Sequence, residues 1–140
     1  MRSVKEIYDY NKDNDYGKSV NDRMTYNAFA YTAKQLKEDE VVNVAFMGIL
    51  YYQVSAQFTQ WYATLITDQR IIVGLYGLFN KEMKIFDLKD YHSFENKDTG
   101  SYQTITFIGD GQTLNIGVLK HRGDDLAHDI ASKTNLKHIK

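Results

Sequence analysis

Between Val41 and Val118 the chain is built from short runs of β-branched and aromatic residues, each closed by a polar or glycine-containing break, and this pattern dominates what it can fold into. The runs are Val41 to Ile49, Phe58 to Thr67, Arg70 to Tyr76, Met83 to Leu88, Tyr91 to Glu95, Tyr102 to Ile108 and Thr113 to Val118. Seven short strands with turns between them predict an antiparallel sandwich or barrel. Two turns are marked by their chemistry. Asp110-Gly111 separates Ile105 and Phe107 from Leu114 and Ile116, and Asp-Gly suits a tight two-residue hairpin. Thr67-Asp68-Gln69-Arg70 lies between two apolar runs, with Asp68 expected to bond its own backbone.

Helical spacing appears on both sides of the strand region. Val20, Met24, Ala28 and Tyr31, with Phe29, Ala33 and Leu36 beside them, predict a helix over about 22–37. Asn21 or Asp22 is placed to cap it. Leu126, Ala127, Ile130 and Ala131 predict a second helix over 124–134, capped by Asp124 and suited to closing the open end of a small barrel. Residues 1–19 are polar and interrupted by Asn11, Asp13, Asn14, Asp15 and Gly17, which reads as a tail or a loosely docked arm. The resulting division is 1–40, an N-terminal tail plus helix, and 41–136, the β domain.

Composition removes several function classes. With 140 residues, one domain can bury a core without a metal or disulfide. The 17 Lys and Arg against 18 Asp and Glu leave a net charge of -1, which offers no general attraction to nucleic acid. Cysteine is absent, so thiolate nucleophiles and sulfur-ligated zinc are excluded. The opening residues carry charges where a signal peptide needs an apolar core, and no stretch approaches a membrane-spanning length, so a cytoplasmic location is expected.

The run Leu65-Ile66-Thr67-Asp68-Gln69-Arg70-Ile71-Ile72, then Gly74 and Gly77-Leu78-Phe79, then Ile85-Phe86-Asp87-Leu88 and Ser93-Phe94-Glu95, resembles bacterial pleckstrin-homology-like domains of the YokE-like type. The resemblance covers about Val41 to Thr134 and rests on turn and packing signals. It implies a mainly β (α+β) fold: a partly open antiparallel barrel of seven strands with a C-terminal capping helix, here preceded by an N-terminal helix. It also gives weight to self-association, since some relatives form ring-like oligomers.

Phosphoinositide recognition, which the fold name suggests, needs basic residues on the first strand and its following loop. No Lys or Arg stands between Lys37 and Arg70. That stretch is aromatic instead: Phe46, Tyr51, Tyr52, Phe58, Trp61 and Tyr62. Strand alternation buries half of such residues on one face, so several are expected to point outwards as a partner-binding patch. The competing expectation is that they pack beneath the N-terminal helix.

No catalytic constellation stands out. His92 precedes Ser93, but adjacent strand residues face opposite ways and are not expected to meet. Asp87 and Asp90 flank a turn, and the glycines at 74, 77, 109 and 111 lack the helix and lysine of a phosphate loop. His92, His121, His128 and His138 do not form a metal-ligand spacing. The expectation is a noncatalytic binding or assembly module with no cofactor, no metal and no small-molecule substrate. Its partner would be a protein, including another copy of itself. The alternatives are attachment to a membrane surface without phosphoinositide specificity and an enzyme without a visible site.

Overall fold

A computed structural model describes residues 1–50 and 60–140. The fold is α+β. One open sheet of eight strands runs β4-β3-β2-β1-β7-β6-β5-β8 among the described residues. The strands are β1 (Val42–Leu50), β2 (Tyr62–Thr67), β3 (Arg70–Tyr76), β4 (Lys81–Asp87), β5 (Tyr91–Asp98), β6 (Tyr102–Gly109), β7 (Gln112–Leu119) and β8 (Lys137–His138). Neighbours are antiparallel except β8, which pairs parallel to β5 and makes the sheet mixed. The seven predicted runs correspond to β1 to β7. Two residues were too little sequence for β8 to be seen as a strand.

β1 joins the two halves of the sheet. Its residues 42–48 pair with β2, while Ile49 and Leu50 pair with Gly117 and Ile116 of β7. Each face of this curved sheet carries its own core. On one face Phe46, Ile66, Ile71 and Val73 meet Phe94, Ile105, Phe107 and Ile116, closed by Leu126 and Ile130 of α3 (Gly123–Lys133). On the other, Ala45, Met47, Ala63, Leu65 and Ile72 are covered by Ile7 and Phe29.

Ile7 and Phe29 belong to α1 (Val4–Asp13) and α2 (Asp22–Ala33). The arm expected at residues 1–19 is therefore a docked helix. Ser3 and Glu6 form a capping box, in which the Ser3 hydroxyl accepts from the Glu6 N–H and Glu6 accepts from the Ser3 N–H. That box offsets the cost of starting a short polar helix. Asn11 adds a buried link, its Nδ2 donating to the Gly17 carbonyl at 2.8 Å and its Oδ1 accepting from the Met47 N–H at 3.1 Å. The residues between 11 and 17 that read as breaks form the turn that releases α1, with Asp15 in the left-handed region at φ 54.

α2 is shorter than predicted, and Asn21 rather than Asp22 caps it, accepting from the Met24 N–H at 2.8 Å. It buries Thr25, Ala28, Phe29 and Thr32. Val20, expected on the buried stripe, precedes the helix and is exposed. The helix lies so close to the sheet that a Cβ on Gly74 would stand 2.1 Å from the Thr32 hydroxyl. Glycine at 74 thus serves helix packing.

At the β6–β7 hairpin Gly109 pairs with Gln112 and leaves Asp110-Gly111 as a two-residue turn, with Gly111 at φ 74. At the β2–β3 turn it is Thr67, not Asp68, that holds the backbone, accepting from the N–H groups of Gln69 and Arg70 at 3.0 and 2.8 Å. Asp68 reaches across instead and accepts from the Val41 N–H at 3.0 Å. Asp124 does not cap α3; it accepts from Asn96 Nδ2 at 2.9 Å and Gln103 Nε2 at 3.2 Å, fastening the helix to β5 and β6.

Candidate functional site

The predicted aromatic patch divides. Tyr51, Tyr52 and Phe58 lie outside the described residues. Phe46 is wholly buried in the core closed by α3, and Tyr62 is buried beside it with its hydroxyl donating to Glu82 at 2.9 Å. Neither presents a surface to a partner. The reason is that β1 to β3 are covered on both faces, so alternation exposes nothing there. Trp61 is partly buried at the edge of the core beneath α1 and α2, its ring edge-on to Tyr102 at 6.0 Å.

The exposed apolar surface is elsewhere. Between β3 and β4 the chain turns through Gly77-Leu78-Phe79-Asn80, closed by the Gly77 N–H donating to the Asn80 carbonyl at 2.8 Å. Leu78 is 79% exposed and Phe79 95% exposed. Two consecutive large apolar residues thus stand in water at the tip of the turn. Gln60 Nε2 donates to Asn80 Oδ1 at 3.4 Å, which sets Trp61 at the same end of the sheet. Lys81 stands behind the tip with its ammonium 4.7 Å from the Tyr76 ring centre. The residues of this tip were visible in the sequence only as part of a family motif. Their exposure depends on no other described segment covering the turn, which no periodicity reports.

At the opposite end of β3, a cleft of about 770 Å³ opens between the β2–β3 turn, the one-turn 3-10 helix Leu88–Asp90 and the C-terminal end of α3. Leu88, Tyr91 and Leu136 give it an apolar floor, and Arg70, Asp87 and Lys133 a mixed rim. Arg70 is committed to Glu40, donating from Nε at 2.9 Å and from its terminal nitrogen at 2.5 Å, and also to the Gln35 carbonyl at 2.7 Å. Burial on its own would raise the Glu40 carboxyl. The bonds from Arg70, Thr67 and the Lys37 N–H outweigh it and hold Glu40 down to about 2.

Lys133 is likewise committed, to Asp129 at 2.7 Å. Asp129 also accepts from the hydroxyls of Tyr10 and Tyr16, the latter at 3.0 Å, which ties the N-terminal segment to α3. Burial first, then the adjacent Asp129 carboxylate, raise both phenols, so they remain protonated donors.

The Ser93–His92 pair departs from expectation. Its members do meet, Ser93 Oγ standing 2.9 Å from His92 Nδ1, with His92 Nε2 3.6 Å from Asp110. A bulge between Tyr91 and Ser93 breaks the alternation that would have kept them apart. The serine is only 3% exposed and is not among the residues that line the cleft. The other histidines are dispersed: His121 stands 3.5 Å from Asp15, and His138 stacks on Phe94 with ring centres 4.6 Å apart. Among the described residues no three His, Asp or Glu side chains converge as a metal site. Nor is any of their helices long and apolar enough to cross a membrane.

These features define the class: an α+β domain on one open, mixed, mainly antiparallel sheet, with a C-terminal helix closing one core and two N-terminal helices closing the other. Among solved structures it is similar to the hSac2 domain from the human phosphoinositide phosphatase Sac2, with TM-score 0.51 and 11% identity over 89% of this chain and 92% of that one. At that identity the similarity is one of fold alone. No protein-family model and no curated protein matches the chain.

Proposed function

We propose that this chain is a noncatalytic binding module of pleckstrin-homology-like architecture that docks through the β3–β4 end of its sheet. Support for the architecture comes from the order of β1 to β7, antiparallel throughout and followed by a helix that closes the core. Support for docking comes from one observation above all, the adjacent exposure of Leu78 and Phe79 on a hydrogen-bonded turn. An apolar pair held in water at such a place has no role in the two cores, and exposed apolar surface of this kind is characteristic of contact sites. The chemistry-bearing groups elsewhere are occupied: Arg70 with Glu40, Lys133 with Asp129, and Ser93 enclosed.

The test is the Leu78→Ser/Phe79→Ser double variant of the full chain, compared with the parent in solution mass by light scattering and in vesicle sedimentation. Loss of an association with an unchanged melting curve supports docking through the tip. A fall in melting temperature by many degrees, or associations identical to the parent's, removes the tip from the function.

A further inference from the structure

We infer that what the Leu78-Phe79 tip docks into is a lipid bilayer surface, entered by apolar insertion with little dependence on lipid charge; this rests on the reading of the tip as a contact site. The first argument is area. A Leu and a Phe together offer roughly 300–400 Å², well short of the about 800 Å² per partner that a specific protein interface uses. A bilayer interface demands neither that area nor a complementary pocket, because its binding scales with the apolar surface inserted.

The second argument is shape. The pair protrudes on a turn pinned by the Gly77 to Asn80 hydrogen bond, so insertion orders little that is not already ordered. At the same end of the sheet is Trp61, whose chain neighbour Gln60 bonds Asn80; partly buried, it is an aromatic with an apolar body and one N–H of the kind that settles at the membrane–water boundary.

The third argument is charge. At the tip Lys81 is followed by Glu82, the whole chain carries -1, and no basic residue stands between Lys37 and Arg70. Attraction to anionic headgroups is therefore weak, and the insertion energy must come from the apolar side chains. The cleft at the other end of β3 then faces away from the bilayer.

The experiment uses the full chain with vesicles of phosphatidylcholine alone and with added phosphatidylserine, at low and high salt. Two readouts are followed: sedimentation and the emission of Trp61, the single tryptophan. The expected result is salt-insensitive binding to both compositions with a blue shift of Trp61. The Leu78→Ser/Phe79→Ser variant should bind roughly a hundredfold more weakly, since each burial accounts for about a tenfold factor or more. Phe79→Trp should retain binding, which separates a lost anchor from a damaged fold.

Binding only with phosphatidylserine, abolished by salt, would overturn the inference, as would no vesicle binding at all. If vesicles are not bound but the parent forms an oligomer that the double variant lacks, the occupant is a second copy; the lipid inference then falls and the docking reading stands. If the double variant matches the parent in both assays, both fall.

Discussion

The Glu40 carboxylate and the Arg70 guanidinium meet in a buried two-point contact, Nε to Oε2 at 2.9 Å and the terminal nitrogen to Oε1 at 2.5 Å, between the segment following α2 and the start of β3. Thr67 adds a third bond to the same carboxylate at 2.6 Å, and Arg2 donates to the Glu40 carbonyl. One acidic residue thereby holds the N-terminal helices, the β2–β3 turn and the chain start in one arrangement. Because it is wholly buried, its partners must stay in place.

Removing one partner should be costly. Arg70→Met leaves the Glu40 carboxylate buried without its counter-charge, and a loss of about 3–5 kcal/mol is expected in urea unfolding. The double replacement Glu40→Leu/Arg70→Met should recover a large part of that loss. A double variant no more stable than Arg70→Met would show that the other bonds of Glu40, and not the charge pair, set the cost.

The same pair gives an acid dependence with a definite sign. Glu40 is held at about 2 in the fold against an ordinary value of 4.5. The folded state thus binds its proton less readily than the unfolded chain, and the contribution is complete above 4.5 and is lost as pH falls from there through 2. Its size is on the order of 3 kcal/mol. Chemical unfolding measured at steps between pH 6 and pH 2 should show this decline, and Glu40→Gln should flatten it while lowering stability at neutral pH.

Asp129 is expected to govern the docking of the N-terminal segment. It is the shared acceptor for Tyr10, Tyr16 and Lys133. Asp129→Ala strands the phenols of the buried Tyr16 and the partly buried Tyr10 and should cost about 2–3 kcal/mol. The loss should appear as faster proteolysis or amide exchange within residues 4–17. Uniform loosening of the whole chain, with no bias to that segment, would count against a local clamp.

Packing on the helical face is concentrated in Phe29, which is wholly buried between α2 and the sheet. Phe29→Ala should lower stability by about 3–5 kcal/mol. Val20→Ser, on a residue 79% exposed, should change it by no more than about 0.5 kcal/mol. Thermal and urea melts of the two variants side by side measure the contrast.

Much of the secondary structure followed from the residues themselves. β-branched runs and their turns placed β1 to β7, and the helical spacing of Leu126, Ala127 and Ile130 placed α3, because these patterns arise from local backbone geometry. α1 was missed since its apolar residues are few and its polar ones, Ser3, Glu6 and Asn11, act through caps and long-range bonds. The partner site was misread at Phe46 and Tyr62 for a related reason. Alternation tells which residues share a face, but not how many faces of the sheet are covered.

By itself, then, the sequence determined a cysteine-free, nearly neutral, mainly β chain closed by a C-terminal helix, because periodicity, turn chemistry and net charge are local or additive properties. The tertiary structure alone decided that β1 to β3 are buried on both sides, that Glu40 and Arg70 meet across thirty positions of chain, and that Leu78 and Phe79 are left in water. Each of these depends on which distant segments come together, and exposure is a property of that assembly rather than of any residue in it.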